Sequence, residues 1–89
     1  MIKRTYRECL KCSDSYYIKG YYNNGDLTIG GEKIKLGTEI AFVIDNTFYE
    51  GLVTGWEKPL YNEPYGDIET IYVDNEEIDL MSIVWLGIN

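Results

Sequence analysis

The chain has 89 residues, 45% of them hydrophobic and 15% aromatic with nine tyrosines, which excludes wholesale disorder and bounds the protein to one domain with one modest core, 1–89. Its net charge is −7 and it contains no histidine, so Ser-His-Asp and Cys-His constellations are excluded and the commonest general base and transition-metal ligand are missing. No run approaches the roughly 18 to 20 apolar residues of a membrane helix, and Met1-Ile2-Lys3-Arg4 leads into polar sequence without the apolar core of a signal peptide, so a cytoplasmic location is expected.

In chain order, Ile2, Tyr6, Cys9 and Leu10 have helical spacing, and residues 1–15 read as a short helix or, equally, as a strand or arm ahead of a β domain over 16–89. Cys9 and Cys12 are separated by two residues, the gap that lets two thiolates share a zinc ion. A structural site needs four ligands and no second pair exists, so ordinary thiols are the first reading, zinc and a redox dithiol are the alternatives, and no cofactor is expected. In Tyr16-Tyr17 and Tyr21-Tyr22, strand alternation lets only one ring of each pair face a core. Gly30-Gly31 predicts a hairpin that sets Leu27 opposite Ile34 and Thr28 opposite Lys33.

The clearest unit is Glu39 to Ile44, the turn Asp45-Asn46, and Thr47 to Val53. Asp and Asn tolerate the positive φ of a two-residue turn, so Ile44 faces Thr47, Phe42 faces Tyr49 and Ile40 faces Gly51. That register gathers Ile40, Phe42, Ile44, Tyr49 and Val53 on one face and leaves Glu39, Glu50 and Leu52 on the other. Trp56 to Asp67, with Pro59, Pro64 and Gly66, reads as a long loop. A third hairpin runs from Ile68 to Val73, turns at Asp74-Asn75 and returns through Glu76, Glu77 and Ile78, with Ile71 beside Ile78. A single helical turn over Asp79 to Ser82 then precedes a last strand, Ile83 to Leu86, for a total of five or six strands.

Charge is polarised along the chain. Met1 to Lys35 holds seven Lys or Arg against four acids, a net +3, whereas Leu36 to Asn89 holds only Lys58 against eleven acids, a net −10. Such an acidic half repels nucleic acid and attracts a basic surface. None of Ser13, Ser15 and Ser82 lies in Gly-x-Ser-x-Gly, and no phosphate-binding glycine loop occurs. Asp74-Asn75-Glu76 begins like a calcium loop but lacks its central Gly and distal Glu.

From Leu36 to Leu86 the order of features resembles an SH3-like barrel of the Tudor or KOW kind. The Gly-led strand is Gly37 to Ile44, the aromatic-x-Gly-x-Val strand is Tyr49-Glu50-Gly51-Leu52-Val53, the short helical turn is Leu80 to Ser82, and the closing strand is Ile83 to Leu86. The resemblance covers little over half the chain and implies a mainly β, five- to six-stranded antiparallel SH3-like barrel. It also implies aromatic cages of the kind that receive methylated Lys or proline-rich peptides. More loosely, the chain resembles small proteins carried by bacteriophages and other mobile elements of low-GC bacteria, from which no activity carries over.

These readings converge on a non-enzymatic protein-binding module, an inhibitor or adaptor from a phage or mobile element. Its acidic surface would engage a basic, nucleic-acid-handling host protein, in an anti-restriction or anti-CRISPR-like manner. The expected partner-binding residues are the loop residues Glu57, Tyr61, Glu63 and Tyr65, with Asp67 and Glu69 beyond them and Glu76, Glu77 and Asp79 on the third hairpin. The ordinary account of those acids is a solvated strand edge that discourages aggregation. The alternative function is a peptide or small-ligand pocket formed by Tyr49, Trp56, Tyr61 and Tyr65. Carboxylate-only catalysis, and nucleic-acid binding through Lys3, Arg4, Arg7 and Lys11, are the remaining readings, though the negative charge weighs against nucleic acid as a direct partner. The expected state is a monomer or small homo-oligomer with no membrane association.

Overall fold

A computed structural model describes residues 2–5, 18–58 and 64–88, the first stretch as a strand only. The described residues are mainly β: β1 (Ile2–Thr5), β2 (Gly20–Asn23), β3 (Asp26–Ile29), β4 (Glu32–Ile34), β5 (Glu39–Ile44), β6 (Thr47–Trp56), β7 (Tyr65–Ile68), β8 (Thr70–Val73), β9 (Glu76–Asp79) and β10 (Trp85–Ile88), with a 3₁₀ turn at Leu80–Ser82. They form two antiparallel sheets. One has the order β10-β5-β6-β8-β9 with β1 added against β6, and the other has the order β4-β3-β2-β7. No helix among them is long and apolar enough to cross a membrane.

The hairpins follow turn chemistry. Asp45, Asn46, Asp74 and Asn75 all have positive φ, the conformation a two-residue turn needs at both central positions. The Asp45-Asn46 turn fixes Ile44↔Thr47, Phe42↔Tyr49 and Ile40↔Gly51 as the sequence predicts. Leu27↔Ile34 and Ile71↔Ile78 hold likewise. The Phe42 and Tyr49 rings stack at 5.3 Å across that hairpin.

Several boundaries differ from expectation. Ten strands replace five or six among the described residues, the additions being β1, β2 and β7. The turn Asn24-Gly25, both at positive φ, folds β2 onto β3 within a polar stretch that carries little hydrophobic alternation. Ile68 to Val73 is not one strand: the chain leaves the four-stranded sheet after Ile68 and enters the larger sheet at Thr70. The stretch read as loop contains β7, whose Tyr65 to Ile68 gain their ladder from β2, a partner distant in sequence. The last strand is Trp85–Ile88 rather than Ile83–Leu86, because Ile83 and Val84 close the 3₁₀ turn and Val84 donates its N–H to the Val43 carbonyl. Ile2–Thr5 is a strand against Thr47 to Glu50, which removes the helix there, while residues 6–15 lie outside the described residues.

β6 also carries a bulge between Val53 and Gly55. Val53 pairs with Val73, Gly55 with Tyr72 and Trp56 with Ile71. The extra residue, Thr54, reverses the parity of the strand, so Trp56 returns to the core face after Val53. The Thr54 hydroxyl bridges the gap, accepting the Asn75 N–H at 2.9 Å and donating to the Tyr72 carbonyl.

The two sheets share one core. Leu27, Ile29 and Ile68 of the smaller sheet pack with Ile40, Phe42, Val53, Ile71 and Leu86 of the larger, all buried. Leu80 from the 3₁₀ turn reaches the smaller sheet at Gly20, where a Cβ would lie 2.8 Å from both the Ile68 carbonyl oxygen and Leu80 Cδ1. Gly20→Ala must therefore displace backbone or Leu80, and a loss of about 1–3 kcal/mol is expected from urea unfolding. Gly55→Ala meets only Tyr72 Cδ2 at 3.5 Å and serves as the comparison, with a smaller loss.

Candidate functional site

The acids of the third hairpin are placed by the Asp74-Asn75 turn. With two turn residues, Val73 and Glu76 flank the turn, Tyr72 opposes Glu77, Ile71 opposes Ile78 and Thr70 opposes Asp79. Ile71 and Ile78 are drawn into the core, so Glu77 and Asp79 share the opposite, solvent face with Tyr72. Glu76, Glu77 and Asp79 are all exposed. Among the described residues β9 lies at the end of its sheet, with β8 on one side only.

Asp79 has a structural duty besides. Its carboxylate accepts the Met81 N–H at 2.9 Å, capping the 3₁₀ turn. Glu57 and Glu69 meet where the chain changes sheet: Glu57 Oε1 accepts the Glu69 N–H at 3.0 Å, and the Glu69 carbonyl accepts the Leu80 N–H. These two acids therefore lie beside the Asp79 end of the hairpin and fasten the crossover. Asp67 and Tyr65 fall elsewhere. They point from β7 onto the outer face of the four-stranded sheet, in register with Tyr21 and Asn23, and Asp67 pairs with Lys19 at 3.5 Å. The predicted acids thus divide into a hairpin group and a second group on the outer face of the other sheet. Tyr61 and Glu63 lie outside the described residues, as do Cys9 and Cys12.

The aromatic alternative is dispersed in the same way. Tyr49 stacks on Phe42, and Trp56 is turned to the core face by the bulge, so both rings pack against the core. Tyr65 stands on the outer face of the other sheet, 56% exposed. Neither of the two described cavities is lined by Tyr49, Trp56 or Tyr65.

Sequence reasoning missed that outer face. Lys33, Thr28, Tyr21 and Asp67 lie side by side across β4, β3, β2 and β7, forming a single row. Beside them an open basin of about 440 Å³ is lined by Lys19, Tyr21, Thr28, Gly30, Gly31 and Asp67. Asn24-Gly25 was the available signal, since it marks the hairpin that sets the row. A second omission is a small cluster on the other face of the β5–β6 hairpin, where Val43 and Phe48 are buried beside Ala41 and Trp85.

The ionisation of Asp74 is displaced. Its carboxyl is held below its usual value, chiefly because Asp74 Oδ1 accepts the Leu52 backbone N–H at 3.0 Å. The same carboxylate is thereby committed to the β6 edge. Among the described residues no group of three or more His, Cys, Asp or Glu stands close enough to hold a metal ion.

Comparison with protein families, with curated proteins and with solved structures finds no match to this chain.

Because the folded carboxyl is more acidic than the unfolded one, Asp74 contributes stability above its unfolded pKa of about 3.9, and that contribution is lost as pH falls through the lower folded value. Asp74→Asn keeps the turn and an acceptor for Leu52 but cannot ionise. The wild type is expected to have the higher urea midpoint at pH 7, with the gap closing as pH is lowered below about 4; a gap unchanged across that window would overturn this account.

Proposed function

We propose that this chain is a non-enzymatic protein-binding module, cytoplasmic, and an inhibitor or adaptor of the phage or mobile-element kind, whose acidic surface engages a basic surface of a nucleic-acid-handling host protein. The observation that carries the reading is the state of the hairpin acids. Glu76, Glu77 and Asp79 occupy three of the four positions of β9, all exposed, while the two ion pairs of the described residues, Lys19–Asp67 and Lys33–Asp26, both lie on the four-stranded sheet. Neither pair involves Glu76, Glu77 or Asp79, which leaves these three exposed carboxylates open to a cationic partner.

We further read the larger sheet as an SH3-like barrel framework. Its support is the path of the chain: β5, β6, β8 and β9 run as successive antiparallel neighbours, a 3₁₀ turn follows, and β10 returns to pair with β5. On this reading β1 to β4 and β7 are additions to that framework. The exposed Tyr72, between Glu77 on β9 and Gly55 on β6, supplies an aromatic contact at the centre of the acidic face.

A pull-down from bacterial lysate, with the full chain and with the double charge reversal E76K/E77K at low and high salt, tests the proposal. A nucleic-acid-handling protein is expected to be held by the wild type at low salt and lost both in high salt and on charge reversal. Equal capture by wild type and variant, or capture indifferent to salt, would sink the electrostatic reading.

A further inference from the structure

The exposed acids of β9 flank a second feature, the backbone edge of the strand. In a hairpin with two turn residues, the flanking pair exchanges both backbone hydrogen bonds and the pairs beyond alternate. Val73–Glu76 and Ile71–Ile78 are thus the bonded pairs, and Tyr72–Glu77 and Thr70–Asp79 are the unbonded ones. The N–H and C=O of Glu77, and the N–H of Asp79, consequently point away from β8. Two hydrogen bonds support this phase: the Leu80 N–H reaches the Glu69 carbonyl, the bonded pair next after Thr70–Asp79, and the Thr70 carbonyl turns the other way to accept the Glu57 N–H. Among the described residues no further strand lies beyond β9.

We infer that this edge accepts an extended segment of the partner as an added β-strand, and that the segment alternates Lys or Arg with β-branched apolar residues. The inference rests on the reading of the acidic surface given above and specifies how that surface is used. Three backbone groups on the edge have no strand partner among the described residues, and added strands are recognised through such groups. Side chains of the incoming strand that lie on the Glu77 and Asp79 face meet two carboxylates, so cations are selected there. Those on the opposite face lie beside Ile78, which is 8% exposed and packed in the core, so an apolar neighbour fits there, with Glu76 at the turn end of the same face.

Charge also decides against a second copy of this chain. Two β9 edges laid together would set Glu76, Glu77 and Asp79 against the same three acids, and like charges opposed across a ladder are destabilising. The other outer strands differ. β4 and β7 lie in the sheet whose outer face carries the Lys33–Asp26 and Lys19–Asp67 pairs, β10 is Trp-Leu-Gly-Ile without charge, and β1, paired only with β6, is Ile-Lys-Arg-Thr with two cations in its sequence. The same acids that prevent self-pairing at β9 therefore favour a basic strand.

The probe is a short acetylated peptide alternating Lys and Val, titrated at low salt into the ¹⁵N-labelled full chain, with amide hydrogen exchange followed residue by residue. At saturation the Glu77 and Asp79 amides are expected to slow by about tenfold or more, while Glu76 and Ile78, already bonded to β8, change little. The same peptide N-methylated at alternate backbone positions should lose that protection. If the peptide binds in a manner sensitive to salt and to E76K/E77K but leaves Glu77 and Asp79 exchanging freely, strand addition is overturned and the acidic-surface reading survives. Failure of the peptide to bind at low salt also overturns strand addition, leaving the acidic surface to be judged by the pull-down.

Discussion

Every part of the larger sheet depends on satisfying both edges of β6. Its backbone bonds alternate in direction: Tyr49 and Gly51 turn towards β5, while Phe48, Glu50 and Leu52 turn towards the opposite edge. On that edge β1 covers Thr47 to Glu50, and β8 begins its pairing at Val53. Leu52 falls at the seam between them. Asp74 closes it from the hairpin turn, accepting the Leu52 N–H through its carboxylate while its own N–H bonds the Leu52 carbonyl. One side chain thus completes a ladder that two strands leave interrupted, which is the condition for burying Val53 and Ile40 beneath it.

The bulge at Thr54 is the second consequence of that arrangement. A strand of ten residues serving partners on both edges accumulates twist, and an extra residue lets β6 bend while restoring Trp56 to the core face. Beyond the bend the chain must change sheets, which it does at Glu69, where the Glu57 carboxylate holds the freed N–H. Gly20 then admits Leu80, bringing the 3₁₀ turn against the smaller sheet. Of the acids that look on paper like a recognition surface, Glu57 also fastens this crossover through its carboxylate and Asp79 caps the 3₁₀ turn beyond it.

That double use separates Glu57 and Asp79 from Glu76 and Glu77. Glu76 and Glu77 hold no backbone bond through their side chains, so their placement on an outer strand is free to serve solubility, partner choice or both. Repulsion between like edges and attraction to unlike ones arise from the same charges, and the two roles reinforce each other. Asp67, by contrast, already faces Lys19 across an open basin, where both charges remain in solvent and the pair is weak.

Turn chemistry and local alternation made much of the fold legible. Asp45-Asn46 and Asp74-Asn75 each announce a two-residue turn, and once the turn is set the period-2 pattern fixes which side chains oppose one another for several residues on either side. A helical turn over Asp79 to Ser82 was legible too, and the structure places Asp79 at its cap rather than within it. The sequence by itself determined the β class, those hairpin registers and the concentration of acid in the later part of the chain. Tertiary structure alone decided what depends on partners distant along the chain: that β7 pairs with β2, that Ile68 and Thr70 belong to different sheets, and that Thr54 is extra. It also decided that Asp67 and Glu77 occupy different sheets despite their shared charge, since local alternation sets the face of a strand but only the assembled core sets where that face looks.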